Sequence, residues 1–274
     1  MTPISFEFYP PKTDEQRVQL DRTAARLKAH DPDYVSVTFG AGGSTLSHTP
    51  EAIQRLRSEH AYDAAPHITC MGGSRAEIRN LLKLYRAMGA RRLVTLRGDV
   101  PSGMVSPGDL RYASELVEFI RAETGDHFHI EVAAYPEVHP QARDAHTDLA
   151  HFLAKARAGA DGAITQYFYN ADAYFRFVDD VRAAGIDIPI VPGIMPISNF
   201  SQIRRFSDMC GAEIPRWVSQ RMLAYADDVD SVRAFGAEVV AQLCQRLIAG
   251  GAPGLHFYTL NLARPTLGVL SQLA

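Results

Sequence analysis

Eight short apolar runs alternate with longer amphipathic stretches along this chain. They are Ile4–Tyr9, Tyr34–Phe39, Ala65–Cys70, Leu93–Leu96, His129–Tyr135, Gly162–Phe168, Ile188–Ile194 and Leu255–Leu260. Strands separated by a helix cannot pair as hairpins. They pair in parallel, and each intervening helix serves as the crossover. The helical stretches begin near Asp14, Thr49, Ser74, Asp109, His146, Asn199 and Val229, with another running through Tyr174 and Val181 to Gly185, and a short one closes the chain. Ser74 is an N-cap candidate with Glu77 three residues on, the spacing of a capping box. Eight strands in 274 residues match the count and size of a (β/α)8 TIM barrel, an α/β fold in one domain over residues 1–274. A doubly wound open sheet is the alternative. Against it, no GxGxxG follows the first strand, and the glycines after Phe39 (GAGGS) lack that spacing.

Charge and cysteine content narrow the function. The net charge is −3, so no bulk basic field favours nucleic acid. The basic pairs Arg91–Arg92 and Arg204–Arg205 read as solvated faces. Three cysteines, an odd number with no CxxC, indicate neither a disulfide framework nor a zinc site, and fit a reducing, cytoplasmic setting. No apolar run approaches the ~18 residues of a membrane span. The N-terminus shows no signal-peptide pattern.

In a barrel of this kind the active site gathers at the C-terminal ends of the strands. The polar residues near those ends are Glu7, Thr38, His67, Arg97 with Asp99, Tyr135 with Glu137 and His139, Gln166, and Asn261. Glu7 lies between Phe6 and Phe8, so alternation turns it away from both, toward either the helices or the centre. It is either a structural ion-pair partner or a carboxylic acid suited to general acid catalysis. Arg97 and Asp99 flank Gly98 at a strand exit. They either pair with each other or face a ligand, Arg97 toward phosphate or a ring carbonyl and Asp99 toward a heterocycle N–H. His67 taken alone reads as a core histidine, and His139, in a proline-bracketed loop, as a better functional position. Gln166 is a buried amide that needs hydrogen-bond partners. No cluster has metal-ligand spacing, and no nucleophile motif appears. The rim as a whole suits a flat, polar, partly anionic cofactor.

The motifs SFEFYPPKT, YVSVTFGAGGS, LRGDVPSG, VAAYPEVHP, AITQYFY, VPGIMPISNF and HFYTLN, taken together and in order, resemble the methylenetetrahydrofolate reductase family over essentially the whole chain. The length resembles the bacterial form, which lacks a regulatory domain. The resemblance implies a barrel that binds FAD, is reduced by NADH or NADPH in a ping-pong cycle, and converts 5,10-methylenetetrahydrofolate to 5-methyltetrahydrofolate. A homo-oligomer with no nucleic-acid or membrane partner is the expected assembly. By resemblance, Glu7 is the acid that opens the folate ring and Asp99 the aspartate beside flavin and pterin. Gln166, Gln202, Phe206 and Leu260 fall on substrate positions. Thr38, Phe39, Ala41, His67, Arg97, Gly98, Tyr112, Ala113, Tyr135, His139, Ala142, Asp148, His151 and Lys155 fall on cofactor positions. Two places depart from the pattern. His151 and Ala154 stand where the family has asparagine and arginine, which removes one contact to the FAD diphosphate or ribose and leaves His151 and Lys155 to compensate. Leu262 stands where an arginine follows TLN, with Arg264 two residues on. The rival readings are direct hydride transfer without flavin and a non-catalytic folate- or flavin-binding barrel.

Overall fold

The computed structural model describes residues 2–39, 48–70, 72–98, 108–225 and 228–273. Its strands are β1 (Ile4–Phe8), β2 (Tyr34–Val37), β3 (Ala64–Thr69), β4 (Arg92–Leu96), β5 (His129–Ala134), β6 (Gly162–Thr165), β7 (Ile190–Val191), β8 (Gly193–Ile194) and β9 (Leu255–Tyr258). The helices are α1 (Asp14–Lys28), α2 (His48–His60), α3 (Arg75–Ala87), α4 (Ala113–Thr124), α5 (Ala145–Arg157), α6 (Ala171–Ala183), α7 (Phe200–Cys210), α8 (Arg216–Tyr225), α9 (Val229–Ala249) and α10 (Ala263–Leu270).

All described pairings are parallel, in the order β7-β6-β5-β4-β3-β2-β1-β9-β8. The run Ile188–Ile194, expected as one strand, is split at Pro192 into β7 and β8. Proline has no N–H to give to a ladder, so pairing is interrupted there. The two halves pair on opposite sides, β7 with β6 and β8 with β9, and the sheet thereby closes into an eight-position barrel. Two local bonds complete the seam. The Gly193 N–H donates to Thr165 Oγ1 at 2.9 Å, and Tyr258 Oη donates to the Thr165 carbonyl at 2.7 Å. Gly193 must be glycine because a Cβ there would lie 2.1 Å from the Thr165 carbonyl oxygen and 2.6 Å from the Tyr258 ring.

Strand alternation sorts side chains between the barrel interior and the helix layer. Phe6 and Phe8 are buried outward, Phe6 against Phe257 and Phe8 against Tyr62. Ser5 and Glu7 point inward. The lower interior is filled by a polar plug. Arg92 pairs with Glu131 at 2.5 Å, His129 reaches the same carboxylate at 3.0 Å, and the Arg92 guanidinium lies 4.2 Å from the centre of the Tyr34 ring. Gly162 leaves the room that Glu131 occupies, since a Cβ would sit 2.5 Å from its Oε2. Above this plug, open space lies toward the strands' C-terminal ends.

The helix ends follow their caps. Ser74 and Glu77 form the expected capping box of α3. Helix α4 begins at Ala113 rather than Asp109, because the Glu115 carboxylate takes the N–H groups of Arg111 and Tyr112 and fixes the start there. Helix α8 was not visible in the periodicity. It buries only Val218 and Met222, while Trp217 and Leu223 are exposed, so its apolar residues do not form one stripe.

Candidate active site

A cavity of about 370 Å³ opens at the C-terminal mouth of the barrel. Glu7 lies in it with its carboxylate between two imidazoles. His67 Nε2 is 3.4 Å from Glu7 Oε2, and His256 Nε2 is 4.0 Å from the same oxygen. His256 is fully buried and is held on its other side by Ser5 Oγ, 2.7 Å from Nδ1, with Ser36 Oγ 3.5 Å from Nε2. Burial pulls the His67 pKa down to about 4, against the raising effect of Glu7, so this imidazole is neutral at neutral pH. Its Nε2 is buried and has no well-formed hydrogen bond among the described residues, which leaves it available to a ligand.

The cavity brings together seven of the residues expected from the sequence: Glu7, Thr38, Phe39, His67, Tyr135, Gln166 and Leu260. The alternative left open for Glu7 is thereby decided in favour of the centre of the barrel. Gln166 accepts the Tyr167 N–H through Oε1 at 3.0 Å, which leaves its NH2 group to donate. Tyr258, Thr69 and Met195 also line the cavity, and the sequence reading missed them along with His256. The missing signal was alternation. Leu260 was selected, and stepping back by two gives Tyr258 and His256 on the same inward face.

A second group lies along the rim at the exits of β4 and β5. Arg97 donates to Gln141 Oε1 instead of spending its guanidinium on a core carboxylate. Gly98 has φ +86°, and a Cβ there would lie 3.0 Å from Thr69 Cβ, so backbone runs close beside a cavity-lining residue. Tyr135 and His139 meet edge to face at 4.5 Å, and Tyr112 stacks on His151 at 5.5 Å. Ala113 opens α4 directly after Tyr112. Asp148 accepts the His139 N–H at 2.9 Å, and the Ala142 N–H donates to the His139 carbonyl at 2.8 Å, so both shape this loop. Lys155 is partly buried, donates to the Ala133 carbonyl and makes no ion pair among the described residues. Burial lowers its pKa to about 8, with Asp148 pulling the other way.

Gln202 and Phe206 lie on α7 and do not line the cavity. The Gln202 N–H donates to the Asn199 cap at 2.8 Å, and Phe206 is partly buried beneath the Arg205 guanidinium. Asn261 serves the backbone. Its side chain accepts the Tyr9 N–H at 3.0 Å and donates to the Tyr9 carbonyl at 2.9 Å. Asp99 and Ala41 lie outside the described residues. Among the described residues, Asp21, Glu59 and His60 approach metal-site spacing, but Arg55 already takes both oxygens of Asp21 at 2.7 Å.

An acid between two imidazoles suits proton delivery to a ligand in the cavity. The orphaned His67 nitrogen, the close backbone at Gly98, the free donors of Gln166 and the underpaired Lys155 fit a flat heterocycle that carries an anionic arm. The fold and this site define a TIM barrel with a cavity, lined in part by a carboxyl and an imidazole, at the C-terminal mouth of its strands.

The family model for methylenetetrahydrofolate reductase matches residues 1–274. The chain is 40% identical over 270 residues to 5,10-methylenetetrahydrofolate reductase of Escherichia coli (strain K12), covering 98% of this chain and 90% of that one. It is 37% identical over 285 residues to a probable methylenetetrahydrofolate reductase (NADH) of Oryza sativa subsp. japonica, covering 99% of this chain and 48% of the relative. This chain belongs to the methylenetetrahydrofolate reductase family. Among solved structures, it resembles a Clostridium thermocellum protein described as binding two copies of 5-methyl-5,6,7,8-tetrahydrofolic acid. The TM-score is 0.66 at 15% identity, over 99% of this chain and 94% of that one. A phosphonopyruvate hydrolase aligns with a TM-score of 0.57 at 12% identity, over 99% and 80%. At these identities the likeness concerns the fold alone.

Proposed function

We propose that this protein reduces 5,10-methylenetetrahydrofolate to 5-methyltetrahydrofolate, with NADH or NADPH as the electron source and FAD as its resident cofactor. The observation that carries the reading is Glu7, a carboxyl inside the barrel mouth with imidazoles at 3.4 and 4.0 Å. Family membership supports the substrate, and the rice relative's name supports NADH.

In this reading Glu7 delivers its proton to N10 of the folate's five-membered ring. The bond from N10 to the bridging carbon breaks, the electron pair stays on N10, and the carbon becomes an iminium at N5 able to accept hydride. His256, fixed by Ser5, stands 4.0 Å from the Glu7 carboxyl. The neutral His67 and the Gln166 NH2 group donate to bound heterocycles. Phe206 and Gln202 meet the folate from α7, and Leu260 packs against it.

FAD, when bound, supplies hydride storage between the nicotinamide and the one-carbon unit. By resemblance, Thr38, Phe39, Ala41, His67, Arg97, Gly98, Tyr112, Ala113, Tyr135, His139, Ala142, Asp148, His151 and Lys155 would hold it, and Asp99 would supply negative charge beside both ligands. A second reading rests on the resemblance: Ala154 stands where the family pattern often has an arginine. In that reading the contact to FAD is missing and hydride passes directly from nicotinamide to folate. Flavin absorbance in the purified protein separates the two.

Glu7→Gln keeps the shape of the side chain but has no carboxylic proton. The variant is expected to lose about a hundred-fold or more in reduction of methylenetetrahydrofolate. Bleaching of bound flavin by NADH, followed by stopped-flow absorbance, is expected to stay near the native rate. Equal losses in both measurements would remove Glu7 from the role of acid.

A further inference from the structure

We propose that Tyr167 is a positioning residue that locks helix α7 to the cavity wall and so sets where Gln202 and Phe206 meet the substrate. The proposal rests on the reading that α7 carries those two substrate contacts.

The geometry begins at the exit of β6. Gln166 faces the cavity, and its Oε1 is held by the N–H of Tyr167 at 3.0 Å. Tyr167 itself turns to the other face. It is buried, and its hydroxyl lies 3.1 Å from Ser207 Oγ on α7, which is also buried. Two adjacent residues thus connect the cavity to α7, one through its amide and one through its hydroxyl.

Ser207 is unusual for its place. The buried stripe of α7 is Ile203 and Ser207, where an apolar residue at 207 would pack without polar cost. A buried hydroxyl is tolerable only when paired. Pairing with Tyr167 is satisfied in one rotation and one axial position of the helix, whereas apolar packing alone tolerates small slips. Phe206 is the neighbour of Ser207, and Gln202 is one turn before Phe206 on the same stripe. Whatever fixes Ser207 fixes both. The neighbouring bond from Tyr169 Oη to the Met195 carbonyl, at 3.3 Å, ties the same segment to another cavity-lining residue.

The test is a double-mutant cycle read in both stability and steady-state kinetics. Tyr167→Phe leaves the buried Ser207 hydroxyl without its tyrosine partner, Ser207→Ala leaves the Tyr167 hydroxyl with only the Cys210 thiol beside it, and both are expected to lower the melting temperature. Each is also expected to raise KM for methylenetetrahydrofolate by about five-fold, with kcat within about two-fold of native. The double variant removes both hydroxyls. Its melting temperature is expected to return toward native while its KM stays as high as in either single variant. Recovery of KM together with stability would make the bond merely structural and overturn the proposal. So would KM effects that add in the double variant, or no KM change in the single ones. Phe206→Ala is the companion measurement: if it leaves KM unchanged, α7 holds no substrate contact and the proposal falls. A native protein unable to turn over methylenetetrahydrofolate would overturn the proposed reaction itself, an outcome visible before any variant is made.

Discussion

Lys155 is a cation placed where burial disfavours its charge, and the sign of that conflict can be worked out. Its folded pKa is about 8, below the ordinary value of 10.5. Between those values the unfolded chain binds more protons than the folded one, so stability rises with pH across that window. Below pH 8 the folded protein bears the whole penalty, roughly 3 kcal/mol. Lys155→Met is therefore expected to raise the melting temperature of flavin-free protein at pH 7. Because a charge-assisted contact to phosphate is lost, the same change is expected to loosen FAD by about ten-fold. Thermal melts without flavin, together with flavin retention on dilution, check both signs. A variant that melts lower and keeps its flavin would contradict the placement. At this scale the sequence was informative wherever chemistry and position coincided. Glu7 and Gln166 were legible because a polar residue at the end of a buried strand has few reasons to be there, whereas His67, inside a strand, read by itself as a core histidine. Lys155 came only from resemblance, because helical periodicity does not distinguish a half-buried lysine from a solvated one.

The exit of β9 shows what a single element contributes. Leu260 and Asn261 have φ of +50° and +54°, a left-handed conformation that is uncommon for a non-glycine residue and most of all for a bulky one such as leucine. The strain is held by neighbours. Asn261 bonds both backbone groups of Tyr9, its own carbonyl accepts from Thr23 and Gln19, and Thr259 Oγ1 donates to the Glu7 carbonyl at 2.5 Å. The turn thus aims Leu260 into the cavity and braces the strand that carries Glu7. Asn261→Ala removes two part-buried bonds to the Tyr9 backbone and the residue best suited to that conformation. The loss is expected to be about 2–3 kcal/mol in denaturant unfolding, with a fall in turnover as Leu260 and Glu7 shift. Unchanged stability would show that the turn is held by something else. The sequence reading had placed Asn261 among the candidate polar residues at the rim, because strand-end position alone cannot separate a residue that serves a ligand from one that serves backbone. Helix α8 escaped for a related reason: its exposed Trp217 and Leu223 blur a stripe that only packing against α9 defines.

For the whole molecule, the decisive place is the seam at Pro192 and Gly193, where β7 and β8 pair on opposite sides and close the sheet. Gly193→Ala would put a methyl group 2.1 Å from the Thr165 carbonyl oxygen, on backbone that cannot retreat without parting β6 from β8. A cost of at least about 3 kcal/mol is expected, read by denaturant unfolding or as loss of soluble protein. A variant as stable as native would mean that the seam tolerates opening. By itself the sequence determined parallel pairing, because helix-length spacers separate the apolar runs, and the count of eight strands favoured a barrel over an open sheet; it also determined which end of each strand to search. It also carried the family, through motifs whose order spans the chain. Only the tertiary structure decided that Glu7 faces the centre, that His256 stands behind it, and that Tyr167 reaches Ser207. The bond from Ser5 that fixes His256 joins residues 251 positions apart, and Tyr167 and Ser207 are 40 apart. Periodicity assigns a side chain to a face, but the partner on that face is set by strand register and barrel closure, which no local pattern encodes.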